Sequence, residues 1–197
     1  MEQQKNFGSW WASQKENIRT IVIAVIVAIL LRTFVIEPRY IPSASMEPTL
    51  HIEDRIIVEK VSNWWRSPQR GEILVFYPPE SPLIEDNTKA YIKRVIGLPG
   101  ELISIHDGQV FINGKPLNEP YILEPIDYYL PANPLNSAIK VPENTYWMMG
   151  DNRNNSNDSH VWGFLPEQNI VGKAIVRFFP WDGRAGILEH PSYEPNN

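Results

Sequence analysis

The chain has 197 residues, enough for one domain of about 150 residues and an appendage. A net charge of −5 and a pI near 5.4 argue against nucleic acid as a partner, because phosphate binding needs a basic face. With no cysteine, disulfides and thiolate catalysis are excluded, and the compartment stays open.

Residues 1–17 form a polar tail carrying Trp10 and Trp11. Residues 18–36 follow as a span of 19 residues, with eleven consecutive apolar ones from Ile21 to Leu31. That length suits a membrane-crossing helix, with Arg19 and Arg32 near its ends where basic side chains snorkel to headgroups. A cleavable leader is the rival reading, since Ser43-Ala44-Ser45 imitates a small-x-small cleavage site. Arg32 closes the apolar core more than ten residues before it, and Glu37 and Arg39 intervene. A buried core helix is the other rival, but this one would be apolar on every face, which suits lipid. A retained single anchor is the reading taken. Lys5, Lys15 and Arg19 place the N-terminus in the cytoplasm and everything beyond Glu37 outside, with Arg32 and Arg39 voting weakly the other way.

From residue 38 the texture is β. Short Val/Ile/aromatic runs at 55–61, 72–77, 91–96, 102–105, 109–113 and 170–179 are bounded by Gly, Pro and Asn, with hairpin signals at Asp107-Gly108 and Asn113-Gly114. No useful helical period follows the anchor. The fold class predicted is mainly β: a single transmembrane helix, then an antiparallel, partly closed, barrel-like domain over 37–188. Residues 115–140 read as a proline-rich surface excursion, and 189–197 as a flexible tail.

Two stretches carry chemistry. Pro42-Ser43-Ala44-Ser45-Met46-Glu47-Pro48 sets two hydroxyls two residues apart in a proline-stiffened loop; alone it would also pass for a linker. A serine needs a base to become a nucleophile. None of His51, His106, His160 and His190 sits in a triad setting, and no metal-ligand spacing or phosphate-cradling loop occurs. Tyr91-Ile92-Lys93-Arg94-Val95-Ile96 alternates as a strand, so Lys93 shares a face with Tyr91 and Val95 while Arg94 points the other way. A free lysine, pKa about 10.4, is neutral in roughly one molecule in 2,500 at pH 7, and apolar surroundings lower that pKa by several units. Lys93 is the candidate base, against the plainer reading of a stem on the core and a head in water.

These stretches resemble the boxes of bacterial type I signal peptidases. Residues 41–50 (Ile-Pro-Ser-Ala-Ser-Met-Glu-Pro-Thr-Leu) resemble the nucleophile box and 91–101 (Tyr-Ile-Lys-Arg-Val-Ile-Gly-Leu-Pro-Gly-Glu) the lysine box. Residues 149–159 (Met-Gly-Asp-Asn-Arg-Asn-Asn-Ser-Asn-Asp-Ser) resemble the C-terminal box, and 71–76 the strand between the first two. The resemblance covers most of 18–180. It implies a membrane-anchored serine endopeptidase that removes signal peptides from preproteins, cutting after Ala-x-Ala without a cofactor. Ser45 would be the nucleophile, Lys93 the base, Ser43 with the Ser45 N–H the oxyanion hole, and Ser156 the group that orients the lysine. Ile41, Pro42, Met46, Leu50, Tyr91, Ile92 and Met148 would line the substrate pockets, and the backbone of 39–42 would pair with the substrate strand. Asp151, Arg153 and Asp158 would tie the last box to the lysine strand.

Two positions depart from the common pattern: Asn154 stands for an aspartate and His160 for an arginine. The resulting Asn-Asn-Ser-Asn-Asp-Ser-His run is similar to forms in oxygenic phototrophs and thylakoid processing peptidases. Trp64 and Trp65, after the first of the predicted strands, are placed either at the membrane interface or in the core. The partners implied are signal-peptide-bearing preproteins and membrane lipid. A LexA-type self-cleaving repressor shares Ser/Lys chemistry but needs a DNA-binding helix-turn-helix, which the chain lacks. A non-catalytic membrane-tethered β domain that binds exported peptides is the remaining alternative.

Overall fold

The computed structural model describes residues 3–84, 86–130, 138–191 and 193. Helix α1 runs Gln3–Phe34, and its stretch Gln14–Phe34 is long and apolar enough to cross a membrane, with none of it buried against the protein. It ends two residues before the expected boundary. Val35 and Ile36 are β-branched, and Glu37 precedes Pro38, whose ring disfavours a helical residue before it. The chain therefore passes straight into strand β1, Ile36–Tyr40.

The later strands are β2 (Arg55–Glu59), β3 (Ile73–Phe76), β4 (Tyr91–Gly97), β5 (Leu102–His106), β6 (Gln109–Ile112), β7 (Lys115–Pro116), β8 (Ile139–Lys140), β9 (Thr145–Met149), β10 (Leu165–Pro166), β11 (Ile170–Phe179) and β12 (Gly186–Ile187). Every pairing is antiparallel. The main sheet, ordered β1-β2-β11-β3-β4-β9-β10 with β12 against β11, curls into a half-barrel; β7-β6-β5-β8 form a second sheet. The six predicted strands are present: 170–179 matches at both ends, 91–96 and 102–105 each run one residue further, and 55–61, 72–77 and 109–113 are trimmed by one or two residues. Asp107-Gly108 and Asn113-Gly114 all adopt positive φ, as primed hairpin turns require. Beyond α1 the only α-helix among the described residues is α2, the single turn Ser159–Trp162; short 3-10 turns supply the other helical backbone.

Apolar packing covers both faces of the central strands. Ile56, Val58, Ile73, Val75 and Ile92 join one cluster, while Leu74, Phe76, Val95 and Met148 join another. Two-sided burial explains why 73–76 reads as an unbroken apolar run rather than an alternating one. Strand β11 crosses between β2 and β3 at Gly172, where any side chain would overlap the Glu59 carbonyl oxygen.

The stretch 115–140 is more than a surface excursion. Leu117, Ile126 and Leu130 are buried with Ile96, Ile103 and Trp147 in a third cluster beneath the small sheet. Its residues 131–137 lie outside the described ones. The expected flexible tail also contributes to packing: Tyr193 lies against the same cluster and donates its hydroxyl to the Asn118 carbonyl.

Candidate active site

Ser43 is extended, and the chain then makes one 3-10 turn over Ala44–Met46. Glu47, which precedes Pro48, returns to extended backbone, so the turn stops there. Met46 and Leu50, both fully buried, fasten the turn into the core. From the other side the C-terminal box holds it: the Asn152 N–H donates to the Ser45 carbonyl at 3.2 Å, and the Asn152 amide donates to the Ala44 carbonyl at 3.2 Å. Gly150 lies so close that a methyl there would meet both the Ser45 carbonyl oxygen and Ser156 Oγ at under 3.0 Å.

On β4, Lys93 is 4% exposed and Nζ donates to Ser45 Oγ at 2.8 Å and to the Ile92 carbonyl at 2.9 Å. Leu74 sits opposite it on β3, and the Tyr91 ring lies 5.6 Å from Nζ. Burial lowers the Lys93 pKa to about 8, against the opposing pull of the Asp158 and Asp151 carboxylates. About one molecule in ten is then neutral at pH 7. Ser43 Oγ lies 3.3 Å from Ser45 Oγ.

These groups open onto a cleft of about 390 Å³ lined by residues 42–45, 89–93, Asn155 and Asn157. Of the predicted substrate-pocket residues, Pro42, Tyr91 and Ile92 line it. Ile41, Met46, Leu50 and Met148 are not among its lining residues; they are buried in the two apolar clusters to which the strands around β4 contribute. Ser156 Oγ is buried beside the site with no hydrogen-bond partner among the described residues, and apart from Ser45 Oγ the side-chain bond of Lys93 Nζ is to the Ile92 carbonyl. Residues that the sequence reading gave no role are Asn152, Gly150 and the cleft residue Ala90; the first two lay inside a quoted box, but only a close backbone approach reveals their task.

The C-terminal box is knitted by buried charges. Arg94, on the opposite face of the strand from Lys93, is only 1% exposed, with the Tyr121 ring packed over its guanidinium. Its guanidinium grips Asp151 through Nε at 2.8 Å and Nη2 at 2.6 Å, donates to the Gly71 carbonyl at 2.7 Å, and lies 4.0 Å from the Tyr121 ring centre. Thus Asp151 does tie the last box to the lysine strand. Arg153 instead pairs with Glu119 in the 115–140 segment. Asp158 accepts the Gly150 N–H at 2.9 Å and meets His160 Nδ1 at 2.8 Å, while Tyr128 stacks on the His160 ring. Asn154 uses both ends of its amide, accepting from the Asp127 N–H and donating to the Pro125 carbonyl, which an aspartate cannot do. No group of side chains among the described residues is suited to hold a metal ion.

The profile of the family described as "Signal peptidase, peptidase S26" matches residues 14–181. The chain belongs to this family. It is 55% identical over 172 residues to "Probable signal peptidase I-1" of Synechocystis sp., covering 86% of this chain and 85% of that one. It is 50% identical over 181 residues to "Signal peptidase I" of Leptolyngbya laminosa, covering 90% and 86%. "Probable thylakoidal processing peptidase 2, chloroplastic" of Arabidopsis thaliana is 36% identical over 194 residues, covering 94% of this chain and 51% of the plant protein. A crystal structure of a signal peptidase I from Enterococcus faecalis aligns at a TM-score of 0.45 and 32% identity, covering 55% of this chain and 97% of that one. The kinship is with the signal peptidases I, of the type shared by cyanobacteria and thylakoids.

Proposed function

We propose that the chain is a membrane-anchored serine endopeptidase that cuts signal peptides from preproteins after small residues, with Ser45 as nucleophile and Lys93 as general base. The observation that carries this is the 2.8 Å contact between a buried lysine nitrogen and a serine hydroxyl at the floor of a cleft. Once Lys93 loses its proton, the polarity of that contact reverses and the Ser45 O–H donates to the Nζ lone pair. Ser45 Oγ then attacks the scissile carbonyl carbon as its proton passes to Nζ. The resulting oxyanion faces the Ser43 hydroxyl and the Ser45 N–H, donors matched to charge that exists only in the transition state. The Lys93 ammonium returns its proton to the departing amine, leaving an ester on Ser45. A water, deprotonated by the now neutral Lys93, hydrolyses that ester and frees the signal peptide's carboxylate.

The cleft wall includes Ala44, Ala90, Tyr91 and Ile92, an apolar lining that supports alanine-sized side chains at the −1 and −3 positions. Strand β1 ends the sheet and pairs on one side only, so the backbone of 39–42 is available to a substrate strand. Lys5, Lys15 and Arg19 ahead of the anchor support a cytoplasmic N-terminus with the cleft on the far side of the membrane, Arg32 and Arg39 weighing the other way.

The test uses full-length protein in detergent with an Ala-x-Ala peptide. Ser45→Ala and Lys93→Met should each lose cleavage by about a thousandfold or more with the fold retained, while Lys140→Ala, at an exposed lysine, cleaves normally. Normal cleavage by both active-site variants would overturn the reading. Arg94→Ala is no control, because it strands the buried Asp151 carboxylate.

A further inference from the structure

Away from the cleft, a cavity of about 340 Å³ opens where the anchor meets the β domain. Thr33 and Phe34, the last residues of the helix, form one wall; Lys60, Asn63 and Trp64 form another; Glu167 and Gln168 close it. Its position decides what reaches it. If Gln14–Phe34 crosses a bilayer, the end of that helix lies at headgroup depth, and Phe34 borders the acyl chains. Trp64 is 64% exposed beside it, the setting in which an indole sits at a membrane interface.

The chemistry of the walls selects the headgroup. An anionic lipid is recognised by unpaired lysines and arginines. Here the sole cation lining the cavity, Lys60, is already held by Glu37 at 2.6 Å and by the Thr33 carbonyl at 3.3 Å. Glu167 brings a carboxylate with no cation in ion-pairing distance among the described residues, which repels a phosphodiester. Beside the apolar Phe34, Pro68, Ile170 and Val171, the wall offers an exposed indole face, two side-chain amides (Asn63 and Gln168) making no hydrogen bond to another described residue, and a carboxylate acceptor. A ring of hydroxyls satisfies all of these at once, offering donors to Glu167, both kinds of partner to the amides, and an apolar face to the indole.

The geometry points to a binding site for the uncharged sugar headgroup of a membrane glycolipid at the junction of anchor and β domain. This rests on the helix lying in a bilayer, not on the Ser45–Lys93 assignment.

The experiment reconstitutes the full chain into nanodiscs of phosphatidylcholine doped with equal minor fractions of a galactosyl diacylglycerol and phosphatidylglycerol, and reads retained lipid by native mass spectrometry. The galactolipid should be enriched over both phospholipids. Trp64→Ala and Gln168→Ala should each weaken retention by roughly tenfold. Trp65→Ala, equally exposed but outside the cavity, should leave retention unchanged. Peptidase activity of each variant confirms its fold. Enrichment of phosphatidylglycerol, no enrichment, or equal losses with Trp64→Ala and Trp65→Ala would each overturn the proposal. Failure of the chain to enter any nanodisc would defeat the anchor reading and this inference with it, whatever the peptidase assay gives.

Discussion

Gly150→Ala is the sharpest perturbation of the site that keeps every reacting group chemically intact. The added methyl would sit 2.7 Å from Ser156 Cβ and closer still to the Ser45 carbonyl oxygen. Relief to ordinary contact requires a shift of roughly 0.5–1 Å. Ser156 is a small side chain wedged against the same spot, and the Ser45 carbonyl is tied to Asn152, so the displacement passes into the turn that carries Ser45 Oγ. A misplacement of about 1 Å in a reacting atom costs on the order of a hundredfold in rate, and overpacking of this kind costs about 1–3 kcal/mol in stability. The assay is kcat and KM on an Ala-x-Ala peptide, with thermal unfolding of each protein followed in parallel. Gly186→Ala, where an added Cβ meets nothing within 4 Å, serves as the neutral control. The expectation is a kcat loss of about a hundredfold in folded Gly150→Ala protein and none in the control. Wild-type kcat in a folded Gly150→Ala protein would refute the tight seating of the turn.

Other outcomes follow from the buried charges. With the Lys93 pKa at about 8, kcat/KM should climb tenfold per pH unit up to that point and then level; a flat profile from pH 6 to 10 would contradict a lysine base. The same shift sets a stability slope. Between about 8 and the unfolded value of 10.5 the unfolded chain binds the proton and the folded one does not, so stability should rise with pH across that window by about 3 kcal/mol, and the rise should vanish in Lys93→Met. Arg94→Met leaves Asp151 buried without its partner and should destabilise the fold by about 3–5 kcal/mol in denaturant titrations. Asn154→Asp removes the donor to the Pro125 carbonyl and should cost about 1 kcal/mol by the same measurement, with activity retained.

How much was legible in the sequence depended on how local the cause was. Strands 170–179 and 91–97 announced themselves through β-branched runs, and the hairpin at Asp107-Gly108 through its turn residues. The pairing of Ser45 with Lys93 came from motif resemblance, because no local rule brings two residues 48 positions apart into contact. Alternation separated Lys93 from Arg94 but could not say that both faces are covered, because the cover over Arg94 comes from Tyr121, far along the chain. Met46, Leu50 and Met148 entered the list of pocket walls through the motif resemblance; in the fold they are fully buried in the core clusters and are not among the residues lining the cleft. Residues 115–140 lacked a pattern because Leu117, Ile126 and Leu130 are spaced by turns rather than by a helix or strand period.

Catalysis by the Ser45–Lys93 pair requires an amine that gives up its proton near neutrality. The most direct measurement is an NMR titration of the full chain in micelles with lysine labelled at Cε, the Lys93 resonance being assigned by its loss in Lys93→Met. A midpoint near 8 is the predicted result. A midpoint near 10.5, the value of a solvated lysine, would contradict it.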